Sequence, residues 1–142
     1  MSEIELKEIC KLLSDAQTIA VVGISRETDR TSRKIASFLV DQGYNVVGVN
    51  PVFGEGNAGG IPVYMTLADI PHEVDIIDVF RRSEDIPELI DSVLAKKPKA
   101  LWLQEGIRND LAVKPVIDSG ILTIQDKCIF VYYNRCKSAN KN

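Results

Sequence analysis

The chain has 142 residues, 45% of them hydrophobic and 26% charged, and 17 Lys and Arg against 20 Asp and Glu leave a net charge of −3. That size suits one domain with one substantial core. The slight acidity excludes a general electrostatic footprint for nucleic acid, so any anion site must be a local concentration of positive charge. No apolar run approaches the roughly twenty residues that span a bilayer. The start, "MSEIELKEIC", is acidic and amphipathic rather than basic then apolar, so neither a signal peptide nor a membrane role is expected, and a cytoplasmic address follows. Three cysteines, Cys10, Cys128 and Cys136, lie far apart with no CxxC pair. Their odd number argues against a disulfide framework and their spacing against a zinc site, which predicts free thiols.

Ser2 and Glu5 form a capping box before Leu6, Ile9 and Leu13, which share one helical face. "TIAVVG" (18–23) is a short, continuous, β-branched run, as a strand buried on both faces should be. A basic loop follows, and Thr31 or Ser32 can cap a helix with Ile35, Phe38 and Leu39 on one stripe and Gly43 as its stop. "NVVGVNP" (45–51) reads as a second strand and "VDIIDVF" (74–80) as a third, with the Gly-rich stretch 52–62 between them taken as loop. Ser83 starts the next helical segment, which tolerates Pro87 near its first turn and turns Ile86, Leu89, Ile90, Val93 and Leu94 inward. "ALWLQEG" (100–106) is a fourth strand, and 109–119 a helix from Asn109 that Pro115 should kink or delay. "ILTI" (121–124) is a fifth strand, "CIFVYY" (128–133) is read as an additional one, and the polar "NRCKSANKN" as an unstructured tail.

Strands alternating with helices call for a parallel sheet covered on both faces. Right-handed crossovers then give a single-domain α/β fold, a doubly wound Rossmann-like sheet. Ligands of such sheets sit at the carboxyl ends of the strands, near the switch in strand order. There Gly23 would let a ligand approach the backbone, and Ser25 offers a hydroxyl donor. The helix start after Arg30 presents free N–H groups and a positive dipole end. Arg26, Arg30, Arg33 and Lys34 add positive charge, Arg33 and Lys34 being free to point away along the helix. The bland alternative is a solvated basic turn, and the loop's place after the first strand favours phosphate. At the end of the second strand, an NAD site usually has an acidic residue to hold ribose hydroxyls. Asn50-Pro51 stands there instead, and no Walker A lysine-serine pair is present.

"VVGIS…DR.S..IA.FL...GY.VV.VNP", "VDIIDVFRRSEDIPELI", "LWLQEGIRN" and "QDKCIF" occur in one order along the chain. Over roughly residues 12–135 the sequence therefore resembles the small stand-alone CoA-binding proteins. That family is similar to the CoA-binding domain of the succinyl-CoA synthetase alpha subunit. CoA carries a pyrophosphate and a 3′-phosphate, which explains the longer, more basic loop, and has no second ribose to hold. The chain is thus read as a CoA-binding Rossmann-like domain over 1–135 with a flexible tail over 136–142, and the resemblance implies CoA or an acyl-CoA as the small-molecule ligand. It implies that Gly23, Ile24, Ser25, Arg26, Arg30 and Ser32 form the phosphate side, and that Asn50 and Pro51 border the adenosine half. Val79, Phe80 and Arg81 would line the nucleotide or pantetheine path, with Gln104, Glu105 and Gly106 near the other wall.

The synthetase works through a phosphorylated histidine and a partner subunit. The single histidine here, His72, precedes the third strand, at the edge opposite the expected ligand. No nucleophile elbow or zinc-protease signature occurs. The reading is therefore a non-enzymatic carrier, sensor or regulatory module with no activity of its own. A protein partner or homo-oligomer stays open. The alternative is the CoA-binding part of an acyl-CoA ligase or transferase that needs a partner subunit, or a redox protein using another nucleotide. Asp75 and Asp78 interrupt the third strand; Asp78, near its carboxyl end, could serve the site, but is expected rather to satisfy neighbouring backbone N–H groups. Cys128, beside Lys127, reads either as a small buried packing residue or as a thiol within reach of the CoA sulfur.

Overall fold

The structure is a computed structural model that describes residues 3–53 and 56–139. Strands β1 (Thr18–Val22), β2 (Asn45–Val49), β3 (Gly56–Ala58), β4 (Ile61–Tyr64), β5 (Ile76–Val79), β6 (Ala100–Leu103) and β7 (Leu122–Ile124) form one sheet in the order β3-β4-β2-β1-β5-β6-β7. Every pairing is parallel except that of β3 with β4. The chain steps outward from β1 through β2 to β4, then crosses to the other flank of β1 and continues through β5, β6 and β7. Strand order thus reverses between β1 and β5, the switch point of a doubly wound sheet.

The uninterrupted Ile, Val, Ala and Leu runs of β1, β5 and β6 are explained by burial on both faces. On one face α1 (Glu3–Asp15), α2 (Thr31–Asp41) and α5 (Ile129–Ala139) pack over Ile19, Val21, Ile76 and Trp102. On the other, α3 (Ile90–Lys96), α4 (Asp110–Asp118) and the 3-10 helices Leu67–Asp69 and Ser83–Leu89 cover Ala20, Val22, Ile77, Val79, Leu101 and Leu103. The doubly wound α/β class expected from the sequence is the observed one.

Several local expectations change. The Gly-rich stretch contains the β3–β4 hairpin, whose two turn residues, Gly59 and Gly60, have φ of 59° and 93°, the sign a tight two-residue turn requires. The run 128–133 is not strand: Cys128 precedes α5 and 129–133 is its first part, with Ile129 and Cys136 seven residues apart on the buried face of the helix, which continues through the supposed tail to Ala139. Short apolar runs do not separate helix from strand by periodicity, and here contact with the sheet selects the helix. Neither Thr31 nor Ser32 caps α2, which has Arg30 at its N-cap and no side-chain cap bond. Pro115 lies inside α4 without ending or delaying it, and Asn109 accepts the Ala112 N–H at 3.1 Å as its cap. The Ser2 half of the expected capping box lies outside the described residues.

Cys10 and Cys136, expected as free thiols, form a disulfide across 126 residues of sequence. Distance along the chain misled that expectation, because α1 and α5 lie side by side on the same face of the sheet. Cys128 is the free cysteine.

The two aspartates of the third expected strand behave oppositely. Asp75, at the amino edge, accepts the N–H groups of Gln17 and Thr18 at 2.8 and 2.9 Å. Partial burial pushes its carboxyl up, but those N–H groups and Lys99 outweigh it and hold the carboxyl below its ordinary range. Asp78 does not satisfy neighbouring N–H groups. It is wholly buried between Val21 and Trp102 in register, and neither oxygen has a partner among the described residues. Burial pushes its carboxyl well above the usual range.

Two predictions follow from β1 and β5. Folded Asp78 keeps a proton that the unfolded chain releases near pH 3.9, so stability falls as pH rises from there towards the raised folded value. Asp78→Asn removes this slope, at most about 1.4 kcal/mol per pH unit, and the melting-temperature difference from wild type should grow with pH. At the end of β1, Gly23 has φ of +91°, and an added Cβ would lie 2.7 Å from the Phe80 carbonyl oxygen. Gly23→Ala should therefore cost more than about 1 kcal/mol in urea unfolding, from φ strain and collision together.

Candidate functional site

Two clefts open at the carboxyl edge of the sheet around the switch point. The first, of 570 Å³, is lined by Gly23, Ser25, Arg26, Arg30, Ser32, Asn50 and Phe53, among others. The second, of 630 Å³, is lined by Arg81, Arg82, Ser83, Gln104, Glu105, Gly106, Ile107 and Cys128, among others. Thr31 and Phe80 border both, so the two clefts share a wall where β1 and β5 end.

The loop after β1 is held by its own short polar side chains. The Ser25 N–H donates to Ser32 Oγ at 3.1 Å, and Ser25 Oγ accepts the Glu27 N–H at 3.1 Å. Asn50 ties this loop to the end of β2: its Nδ2 donates to the Ile24 carbonyl at 2.8 Å and its Oδ1 accepts the Val52 N–H at 3.0 Å. Asn50 therefore uses both ends of its amide to join two loops. The Arg26 guanidinium donates to the Phe53 carbonyl and lies 4.6 Å over the Phe53 ring. Thr31, the first residue of α2, lines both clefts, and no side chain caps the helix. Its amino end thus offers a positive dipole end to an anion.

The cations divide into two sets. Arg30 pairs with Glu27 at 2.9 Å and Arg82 with Asp85 at 3.2 Å, both pairs involving largely exposed guanidiniums. The hydrogen bond and charge of Glu27 raise the affinity of Arg30 for its proton. Such surface pairs contribute little to stability. Arg26, Arg33 and Arg81 instead have no carboxylate partner among the described residues. Arg33 does not point away along the helix. It turns back under the loop and donates from Nη1 to the carbonyls of Ser25 and Arg26 at 3.3 and 2.8 Å.

Not every residue expected at the site faces a cleft. Ile24 and Val79 are wholly buried in the two core layers, so Ile24 serves the loop through its carbonyl and Val79 through the strand. Pro51 lines a separate pocket of 140 Å³ with Met65, Thr66 and Arg81. Gln104 is 5% exposed, and its Oε1 accepts the Ile129 N–H at the start of α5 at 3.1 Å. Gly106 donates its N–H to Asp126 at 2.6 Å, fixing the far wall. Cys128 is half-buried in the wall of the second cleft, while Trp102 is core, its ring N–H donating to the Lys127 carbonyl at 2.7 Å. Glu27, Thr31, Val52, Phe53, Arg82, Ser83, Glu84 and Ile107 also line the clefts and were not among the expected site residues. An aromatic two residues beyond Pro51 was a usable signal for Phe53.

His72 sits in an exposed turn before β5 with Nδ1 against the Glu73 carbonyl at 3.0 Å, at the amino edge of the sheet. No helix among the described residues is long and apolar enough to cross a membrane.

Comparison with known proteins bears on the family and the fold. The family described as CoA binding domain matches residues 17–134. The Bacillus subtilis (strain 168) protein YneT is 37% identical over 130 residues, covering 92% of this chain and 93% of its own. A solved structure from Thermus thermophilus, cell-free ID.343, superposes with a TM-score of 0.88 at 35% identity, covering 96% of this chain and 99% of that one. A protein from Pyrococcus horikoshii OT3 superposes with a TM-score of 0.85 at 25% identity, covering 92% and 91%. With a family match that begins just before β1 and ends within α5, the chain belongs to the CoA binding domain family.

Proposed function

We propose that this protein binds CoA or an acyl-CoA across the two clefts at the carboxyl edge, with the phosphates against the loop after β1. The observation that carries the reading is the set of three guanidiniums, Arg26, Arg33 and Arg81, that no carboxylate neutralises among the described residues. Cations gathered this way around an uncapped helix start favour a polyanion with more than one phosphate group. CoA meets that requirement with its pyrophosphate and 3′-phosphate. The end of β2 supports CoA over a nicotinamide dinucleotide. Both ends of the Asn50 amide are used in holding loops together, and Asn50 occupies the place of the acidic residue that would hold a ribose. The second cleft, reaching Cys128, would take the pantetheine arm and any acyl group. The role proposed is that of a carrier, sensor or regulatory module. The position of His72 at the opposite edge supports binding without turnover.

Calorimetry against CoA, NAD and NADP tests the ligand, and native mass spectrometry of the purified protein identifies any ligand retained from the cell. CoA should bind more tightly than either dinucleotide; tighter binding of NAD would reverse the assignment. The cations should also rank. Arg26→Gln removes an unneutralised charge and should weaken CoA by about 1.5–3 kcal/mol, the usual worth of a charge-assisted hydrogen bond. Arg30→Gln should cost less, because Glu27 already offsets that charge. Equal losses would show that Arg30 leaves Glu27 to meet the ligand.

A further inference from the structure

Arg33 is only 9% exposed, and it lines none of the clefts described above. Its Nη1 grips the carbonyls of Ser25 and Arg26, two successive peptide units of the loop. Its Nη2 reaches the β3–β4 turn, where an added Cβ on Gly59 would lie 2.9 Å away. The glycine turn therefore leaves room for the guanidinium. Its Nε has no partner, and no carboxylate pairs with it among the described residues. A guanidinium this deeply buried is costly unless it is paired and hydrogen-bonded, and two carbonyl dipoles meet only part of that requirement.

We propose that Arg33 is a positioning residue for the anion site, drawing the carbonyls of Ser25 and Arg26 inward behind the loop and supplying a fixed buried charge whose counter-ion is the phosphate of the bound ligand. Two effects combine. Carbonyl oxygens held by Arg33 are turned away from the first cleft, where their partial negative charge would repel phosphate. The uncompensated cation behind the loop then adds to the field of the α2 amino end, which is strengthened by the low-dielectric surroundings. Arginine suits the role better than lysine, because its fork spans two acceptors from one rigid plane.

The inference rests on the proposed phosphate site, and a probe smaller than CoA separates the two. Wild type, Arg33→Gln and Arg33→Lys should be compared by calorimetry with CoA and by thermal melting with and without inorganic pyrophosphate. Pyrophosphate should raise the melting temperature of wild type and of Arg33→Lys, and leave that of Arg33→Gln unmoved. A purely structural role would lower the starting melting temperature of Arg33→Gln but preserve the pyrophosphate shift, which would overturn the proposal. Towards CoA, Arg33→Gln should bind at least tenfold more weakly and Arg33→Lys should fall between the two. If Arg33→Gln does not fold, Arg33→Lys still decides: wild-type affinity for CoA in that variant overturns the two-carbonyl grip. If wild type fails to bind CoA yet shows the pyrophosphate shift that Arg33→Gln loses, the CoA reading falls and the role of Arg33 stands.

Discussion

The close meeting of β1 and β5 at Gly23 is the constraint on which the carboxyl edge of the sheet depends. The Gly23 N–H donates to the Val49 carbonyl at 2.8 Å, and the Phe80 N–H donates to the Val22 carbonyl at 2.8 Å. Three strands therefore end on one line, and the left-handed turn at Gly23 throws the chain out over that line. A side chain there would strike the Phe80 carbonyl, which fixes the residue as glycine. Everything that follows uses the space so created: the loop to α2 on one side, the loop carrying Arg81 on the other, and Phe80 between the two clefts.

Charge is arranged around this edge unevenly. Carboxylates pair with the outer guanidiniums of Arg30 and Arg82, whereas Arg26, Arg33 and Arg81 meet carbonyls, a ring or open space. In a chain with a net charge of −3, that separation leaves three guanidiniums without carboxylate partners among the described residues at this edge, with Glu27, Glu84 and Glu105 also in the cleft walls. The loop polar groups are spent on one another, as in the Ser25–Ser32 and Asn50–Ile24 bonds, so the shape of this edge is fixed by the chain itself. For the proposed ligand, preformed geometry of this kind would lower the ordering cost of binding.

The sheet interior contributes differently. Trp102 and Gln104 reach from β6 and its exit to the Lys127 carbonyl and the Ile129 N–H, and so anchor the segment that carries Cys128. The Cys10–Cys136 disulfide fastens α1 to the far end of α5, the helix that this segment begins. Asp78, on β5 next to the central strand, stands in the same layer without a hydrogen-bond partner among the described residues, an uncommon feature in a folded interior.

The sequence alone determined the parallel doubly wound architecture, because continuous β-branched runs separated by amphipathic segments permit little else. It also determined the basic, glycine-led loop after β1 and the want of an acidic residue after β2, since both are local in the chain. Tertiary structure decided what depends on contacts between distant segments. The run 129–133 became a helix because its apolar residues meet the sheet at helical spacing, a choice that its β-favouring composition concealed. The two cysteines paired because two helices far apart in sequence share one face. Val79 turned into the core because a strand residue's direction is set by sheet register, and Ile24, in the loop after β1, because it packs over Gly48 of β2; motif position names only the neighbourhood. Arg33 turned under its loop because two carbonyls and a glycine turn made room for it, and neither is visible until the chain has folded.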